Sequence, residues 1–377
     1  MRFGHLRECS SQIAEVTFRE CFEIEAHVYP QANGRGHHIY ELMAGVALMQ
    51  EPVGAALGVI AESIGTSGEA LRLLIGIIGM AFLGASFSYS RTDWSRRLAA
   101  AGWLFLGLFI YLLSEYYVKI GDPVLIIMTA GALPAGVFLA FLETQRHSHL
   151  AEETKESLIW LRGMVAWSMI PYQVVYCIPY LNIAFVMLTA HSAEWMLEFV
   201  GLGSYSMGEV MVDLHDGGEV PLSDWDGSMI LLTQPLGDGG FFIPMYHSNG
   251  EEVNIGFILS CSGLQSMIIF VGAIVALQTV PWNRRIRGLL ISVPTIHILN
   301  TFRNAGIVWL TDNYQNWQFL GLDMFDFSHS YAAKVASLFA MFLLAIALFD
   351  LLPELHRNIM QLMPKQLRAK GNSSTTS

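Results

Sequence analysis

Long apolar runs separated by short polar turns dominate the chain from residue 71 onward. Seven of these runs are long enough to cross a bilayer as helices, because a hydrocarbon core about 30 Å thick needs about 20 residues at a rise of about 1.5 Å each. They cover 71–89, 98–118, 123–142, 158–180, 255–280, 288–310 and 331–351. The fourth is interrupted by Pro171 and Pro179 and continues into LNIAFVMLTAHSAEWMLEFVGL, which reads as a second helix lying in the interface or dipping back into the membrane. Residues 1–70 are mixed. The stretch MAGVALMQEPVGAALGVIAESIG would add an eighth span, but Glu51 and Pro52 interrupt it. No basic segment leads into a short apolar core and a small-residue cleavage site, so no signal peptide is expected.

Between the fourth and fifth runs the pattern changes. Residues 191–254 alternate short apolar and aromatic pieces, SMILLTQP and GGFFIPMY, with Gly, Asp and Pro, which predicts a small β-rich cap. The expected architecture is an all-α polytopic membrane protein of about seven transmembrane helices carrying an acidic extracytoplasmic cap. Its divisions are an N-terminal segment 1–70, four helices over 71–190, the loop 191–254 with its interfacial helix, the helices 255–351 and a tail 352–377.

Composition agrees with the membrane assignment. The 377 residues are 53% hydrophobic and only 14% charged, against a usual charged share of about 25%. Four cysteines, Cys9, Cys21, Cys177 and Cys261, form neither a disulfide framework nor a CxxC metal site. No metal or other cofactor is expected: His37 and His38 read as solvated, and His147 and His149 sit among ordinary charged residues. No nucleic-acid partner is expected either.

Charge distribution supplies the orientation. Lys and Arg gather in the turn 91–97, the loop 143–162, the turn holding Arg284, Arg285 and Arg287, and the tail with Arg357, Lys365, Arg368 and Lys370. These are the cytoplasmic sides by the positive-inside rule. The loop 191–254 has eleven Asp and Glu and no Lys or Arg, and 311–328 also lacks basic residues. Both therefore face outward.

That topology brings chemistry to one layer. Cys261 lies about six residues into the fifth run, near the outer face, and Gln265 follows one turn later on the same helical face. Arg303 and Asn304, in HILNTFRNAGIVWL, lie near the outer end of the sixth run, with Asn300 one turn before Asn304. A guanidinium about two turns inside a hydrophobic segment is costly unless it faces the bundle interior and has a partner. His329, in FSHSYAAK, opens the seventh run, and His297 reads as a packed structural histidine. A thiol becomes nucleophilic as the thiolate, which a nearby cation or a histidine base provides. Arg303 suits thiolate and oxyanion stabilisation, and His329 suits proton exchange with the thiol and a leaving amine. The first product would be a thioester at Cys261. Water would then make the protein a protease and an amine would make it a transpeptidase, and nothing in composition or spacing chooses between them. A transporter using Arg303 and the asparagines as a path is a third class, but no internal repeat supports it.

The motifs SCSGLQSM, VPTIHILNTFRN and FSHSYAAK, with the closing FDLLPEL, resemble the exosortase/archaeosortase family of membrane cysteine transpeptidases. The resemblance covers roughly 71–362 and is strongest from Cys261 onward. It implies Cys261 as nucleophile, Arg303 as the family's arginine and His329 as third member, with Lys334 competing for that place. It also implies an enzyme on the outer face of an archaeal membrane. Such an enzyme cuts secreted proteins at a PGF-type motif followed by a membrane helix and a basic cluster, then joins the new C-terminus to a membrane lipid. Phe257, Phe302 and Trp309 are candidates to pack against the substrate's helix.

Overall fold

The computed structural model describes residues 53–90, 92–119, 123–145, 151–215, 217–234, 236–319 and 322–363. Most of the segment 1–70, the histidines at 37, 38, 147 and 149, and the basic tail from 364 lie outside the described residues. The chain divides into two compact units, residues 1–75 with 107–135 and residues 76–106 with 136–377.

The helices of the first half follow the apolar runs. They are α1 (Val53–Ser63), α2 (Gly68–Ser88), α3 (Asp93–Leu112), α4 (Ser114–Lys119), α5 (Pro123–Ala130) and α6 (Ala132–Thr144). Within the first unit, Arg72 pairs with Glu115 at 3.4 Å. The second unit continues with α7 (Glu152–Cys177) and α8 (Pro179–Val200), joined at Ile178. Pro171 sits inside α7, and the chain turns only at Pro179, whose ring takes the first position of α8.

A five-stranded antiparallel sheet follows, confirming the β-rich character expected of this region. Its strands are β1 (Tyr205–Met207), β2 (Met211–Leu214), β3 (Glu219–Pro221), β4 (Leu236–His247) and β5 (Glu252–Ile258). The long β4 pairs with β1, β2 and β5, and β3 closes on β2. Alternation decides its inner face: Phe241, Ile243 and Met245 of β4 and Val253, Ile255 and Phe257 of β5 are buried, while Glu252 and Gly256 are exposed. These side chains pack on α8 along most of its length, from Ile183 through Val186, Ala190 and Ala193 to Leu197, and on Ala305 and Val308 further along the chain.

Here the expectation of a continuous span over 255–280 fails. Residues 255–258 finish β5, Leu259–Ser262 form a 3-10 turn, and only α9 (Leu264–Val275) is helical. The break falls at Gly263, whose φ of +71° is left-handed and interrupts any continuous helix. Twelve residues of helix extend about 18 Å, short of a hydrocarbon core about 30 Å thick. The alternation Val253, Ile255, Phe257 was the period-two signal that apolar length concealed.

After α9 come α10 (Trp282–Asn313), the hairpin β6 (Gln318–Phe319) and β7 (Leu322–Asp323), the short α11 (Met324–Asp326), a π-helical turn at Phe327–Ala332, α12 (Ala333–Leu351) and α13 (Pro353–Leu362). Among the described residues, five helical stretches are long and apolar enough to cross a membrane: Ala70–Ser88, Trp94–Leu112, Leu125–Thr144, Pro179–Val200 and Met324–Leu351. The expected runs at 158–180 and 288–310 are helical within α7 and α10, but those helices carry more polar side chains. The protein is thus a mostly helical, multi-pass membrane protein with a small sheet.

Small residues and buried polar contacts knit the second unit. A Cβ on Gly272 would lie 2.2 Å from Ser168 Oγ, so α9 meets α7 at a glycine. Trp160 Nε1 donates to Ala273 O at 2.9 Å. Arg162 grips Glu143 through two hydrogen bonds, Nε to Oε1 at 2.7 Å and Nη2 to Oε2, with both side chains buried. Glu143→Leu alone should therefore cost about 3–5 kcal/mol by stranding the guanidinium. Glu143→Leu with Arg162→Leu should cost much less, and thermal unfolding in detergent reads the difference.

Candidate active site

Cys261 lies in the turn between β5 and α9 rather than inside a helix. Its local geometry is set by its neighbours. Buried Ser262 accepts from Leu264 N at 3.2 Å and donates to Leu259 O at 2.6 Å, strapping the turn. Gly263 then redirects the chain into α9, and a Cβ there would meet Asn300 Cγ at 2.9 Å. The amino-terminal end of α9 consequently begins three residues after Cys261.

α10 supplies the next layer. Asn300 Nδ2 and Asn304 Nδ2 both donate to Cys261 O, at 2.8 and 2.9 Å. One turn apart on one helix, they hold the Cys261 backbone from the same side. Asn304 is buried, and its Oδ1 accepts from Arg303 Nη1 at 3.2 Å. A single amide thus ties the cysteine turn to the guanidinium. Arg303 lies within electrostatic reach of Cys261 and of His329, and Lys334 also acts on His329. Arg303 is thus the group with reach to both of the others, acting from a helix on a cysteine in a turn and on a histidine in a π-helical turn rather than from one of three simple spans.

Other expected groups take different roles. Gln265 does not share a helical face with Cys261; its Nε2 approaches Tyr172 OH at 3.5 Å. His297 meets Ser192 Oγ at 3.3 Å and serves helix packing between α10 and α8. Of the three aromatic candidates for a substrate helix, Phe257 is buried under the sheet and Trp309 packs on that same core, which removes both. Phe302, 54% exposed, keeps an accessible ring beside Arg303.

A latch that sequence reasoning missed joins α10 to the sheet. Asp312 accepts from Tyr205 OH at 2.8 Å on β1 and pairs with His247 Nε2 at 3.1 Å on β4. The Tyr205 and His247 rings pack at 5.5 Å. Burial, then the Asp312 hydrogen bond, pushes the Tyr205 phenol up, so it stays a neutral donor until strong alkali. The only sequence hint was an acidic residue ending an apolar helix. Through β4 and β5, Asp312 is linked to the Cys261 turn.

Compared with known families, the chain matches the one described as Transmembrane exosortase (Exosortase_EpsH) over residues 70–349. Among curated proteins it is similar to archaeosortase A of Haloferax volcanii, with 40% identity over 75 residues, 19% of this chain and 24% of that protein. The match spans about a quarter of that relative's length. No solved structure matches the chain.

Two outcomes follow from the geometry. Asn304→Leu should leave the Cys261 carbonyl with one donor and Arg303 without its partner. That should cost about 1–3 kcal/mol and alter the alkylation rate of Cys261, read by mass spectrometry of its peptide. Asp312→Ala should speed hydrogen–deuterium exchange in β1 and β4 while α7 keeps its protection, because the latch acts on the sheet alone.

Proposed function

We propose, from the premise that the chain belongs to the transmembrane exosortase family, that it is a membrane-embedded cysteine transpeptidase. Its substrates would be secreted proteins that end in a sorting signal. The family match covers the residues of the candidate site, and the single observation that supports the reading is that Arg303, tied through Asn304 to the Cys261 carbonyl, lies within electrostatic reach of both Cys261 and His329. The active layer sits at the extracytoplasmic face, beside the sheet that packs on α8. The basic turns and tail face the cytoplasm, consistent with their charge.

In this mechanism the substrate's membrane helix brings its scissile amide to the Cys261 layer. His329 takes the thiol proton, and the thiolate attacks the carbonyl carbon. Arg303, oriented by Asn304, stabilises the thiolate and then the oxyanion of the tetrahedral intermediate. Collapse breaks the C–N bond, His329 returns its proton to the leaving amine, and a thioester to Cys261 remains. An amine acceptor, here a membrane lipid, attacks that thioester. Its proton passes to His329, a new amide forms, and the thiol is restored. Water in the acceptor's place would give a free carboxylate, the outcome of a protease. Asn300 and Asn304 support the nucleophile, and Lys334 is the alternative to His329.

Intact-mass measurement of a C-terminally anchored surface protein tests the proposal in cells carrying wild-type or variant enzyme. Cys261→Ala should leave the substrate uncut, and Arg303→Ala and His329→Ala should each slow cutting by about 10²-fold or more. Added lipid mass on the wild-type product supports transpeptidation, whereas a free acid marks hydrolysis. Normal processing with Cys261→Ala would sink the enzyme assignment.

A further inference from the structure

The His329 imidazole does not stand free in its π-helical turn. Its ring lies against the ring of Phe325, with centroids 5.2 Å apart and planes only 5° from parallel. The segment that carries Phe325 is itself held in several places. Asp323 caps it, accepting from Asp326 N at 2.7 Å. Buried Ser328 donates to Phe325 O at 3.1 Å. Phe327 packs its ring on Trp317 at 5.2 Å. The π-helical turn places His329 one turn after Phe325, and such local insertions recur where a helix must aim a functional side chain.

An imidazole turns broadly about its second side-chain torsion. A flat stack removes that freedom and shields one ring face from water. The charged groups that act on it are Arg303 of α10 and Lys334 of α12. A rotated imidazole would offer the wrong nitrogen to Cys261, because its two nitrogens are chemically distinct.

We propose that Phe325 is a positioning residue that fixes the imidazole plane of His329 by a parallel ring stack, so that one ring nitrogen is kept aimed at the reacting thiol and leaving amine. This rests on the assignment of His329 as the acid–base group. The size of an offset aromatic stack supports a change of about 3- to 10-fold in rate, far less than loss of His329 itself.

The test uses the full chain in membranes and two readouts. Turnover of an anchored substrate provides kcat and KM, and the pH dependence of Cys261 alkylation by iodoacetamide, followed by mass spectrometry of its peptide, reports the thiol without turnover. Phe325→Leu and Phe325→Met should lower kcat about 3- to 10-fold, leave KM within about twofold and shift the alkylation profile. Phe325→Tyr and Phe325→Trp, which keep a ring, should match wild type within about twofold in both. Phe325→Leu should add no further loss to His329→Ala. The proposal is overturned if Phe325→Met behaves as wild type in both readouts, or if Phe325→Tyr is as impaired as Phe325→Met. It is also overturned if the losses with His329→Ala multiply. Should His329→Ala process substrate normally while Cys261→Ala does not, the proposal falls through the His329 assignment, with the nucleophile intact.

Discussion

The backbone carbonyl of Cys261 accepts two hydrogen bonds, from Asn300 and Asn304, and the geometry of the site depends on that saturated oxygen. A carbonyl has two lone pairs, and a buried one left unmet costs about 1–3 kcal/mol. Meeting both from one helix leaves the cysteine turn little freedom to slide along α10. Since Arg303 adjoins Asn304 and bonds to its amide, the same contact that sets the height of the Cys261 turn also orients the guanidinium. Cys261 and Arg303 are thus registered against each other by the asparagine side chains.

α10 acts as the beam on which the rest hangs. At its outer end Asp312 clasps β1 and β4, and β4 in turn carries β5, whose last residue leads into the cysteine turn. At its other end Arg285 donates to Val280 O at 2.6 Å and Val275 O at 3.0 Å, capping the open carbonyls that follow α9, and lies 4.8 Å over the Trp282 ring. Arg284 binds Glu354 through both oxygens and Leu351 O, tying α13 to the same end. The short α9, unable to cross a membrane alone, is therefore held at both ends by α10 and along its side by α7.

A sheet above such an arrangement has a physical use. An apolar helix entering the membrane directly at residue 255 would bury the thiol within a helical wall, among backbone groups already paired. Ending a strand there instead leaves Cys261 in a turn, half-buried, with a helix amino terminus ahead of it and a polar layer from α10 beside it. The cost is the acidic surface left on the outer side of the strands, which solvent accommodates. Packing of β4 and β5 on α8 supplies the stability that the short strands lack on their own.

Much of this was legible in the chain. Apolar length and the bias of Lys and Arg are one-dimensional properties, so the membrane class, most helices and the position of the sheet could all be read without a fold. Cys261, Arg303 and His329 stood out because polar groups are expensive in such surroundings wherever the chain places them. Only the tertiary structure decided that Cys261 sits in a turn, that two asparagines 39 and 43 residues away share its carbonyl, and that Asp312 reaches back more than 100 residues to Tyr205. Strand and buried helix look alike in a short apolar run, and a hydrogen bond between distant residues depends on which faces meet, a fact that no local pattern carries.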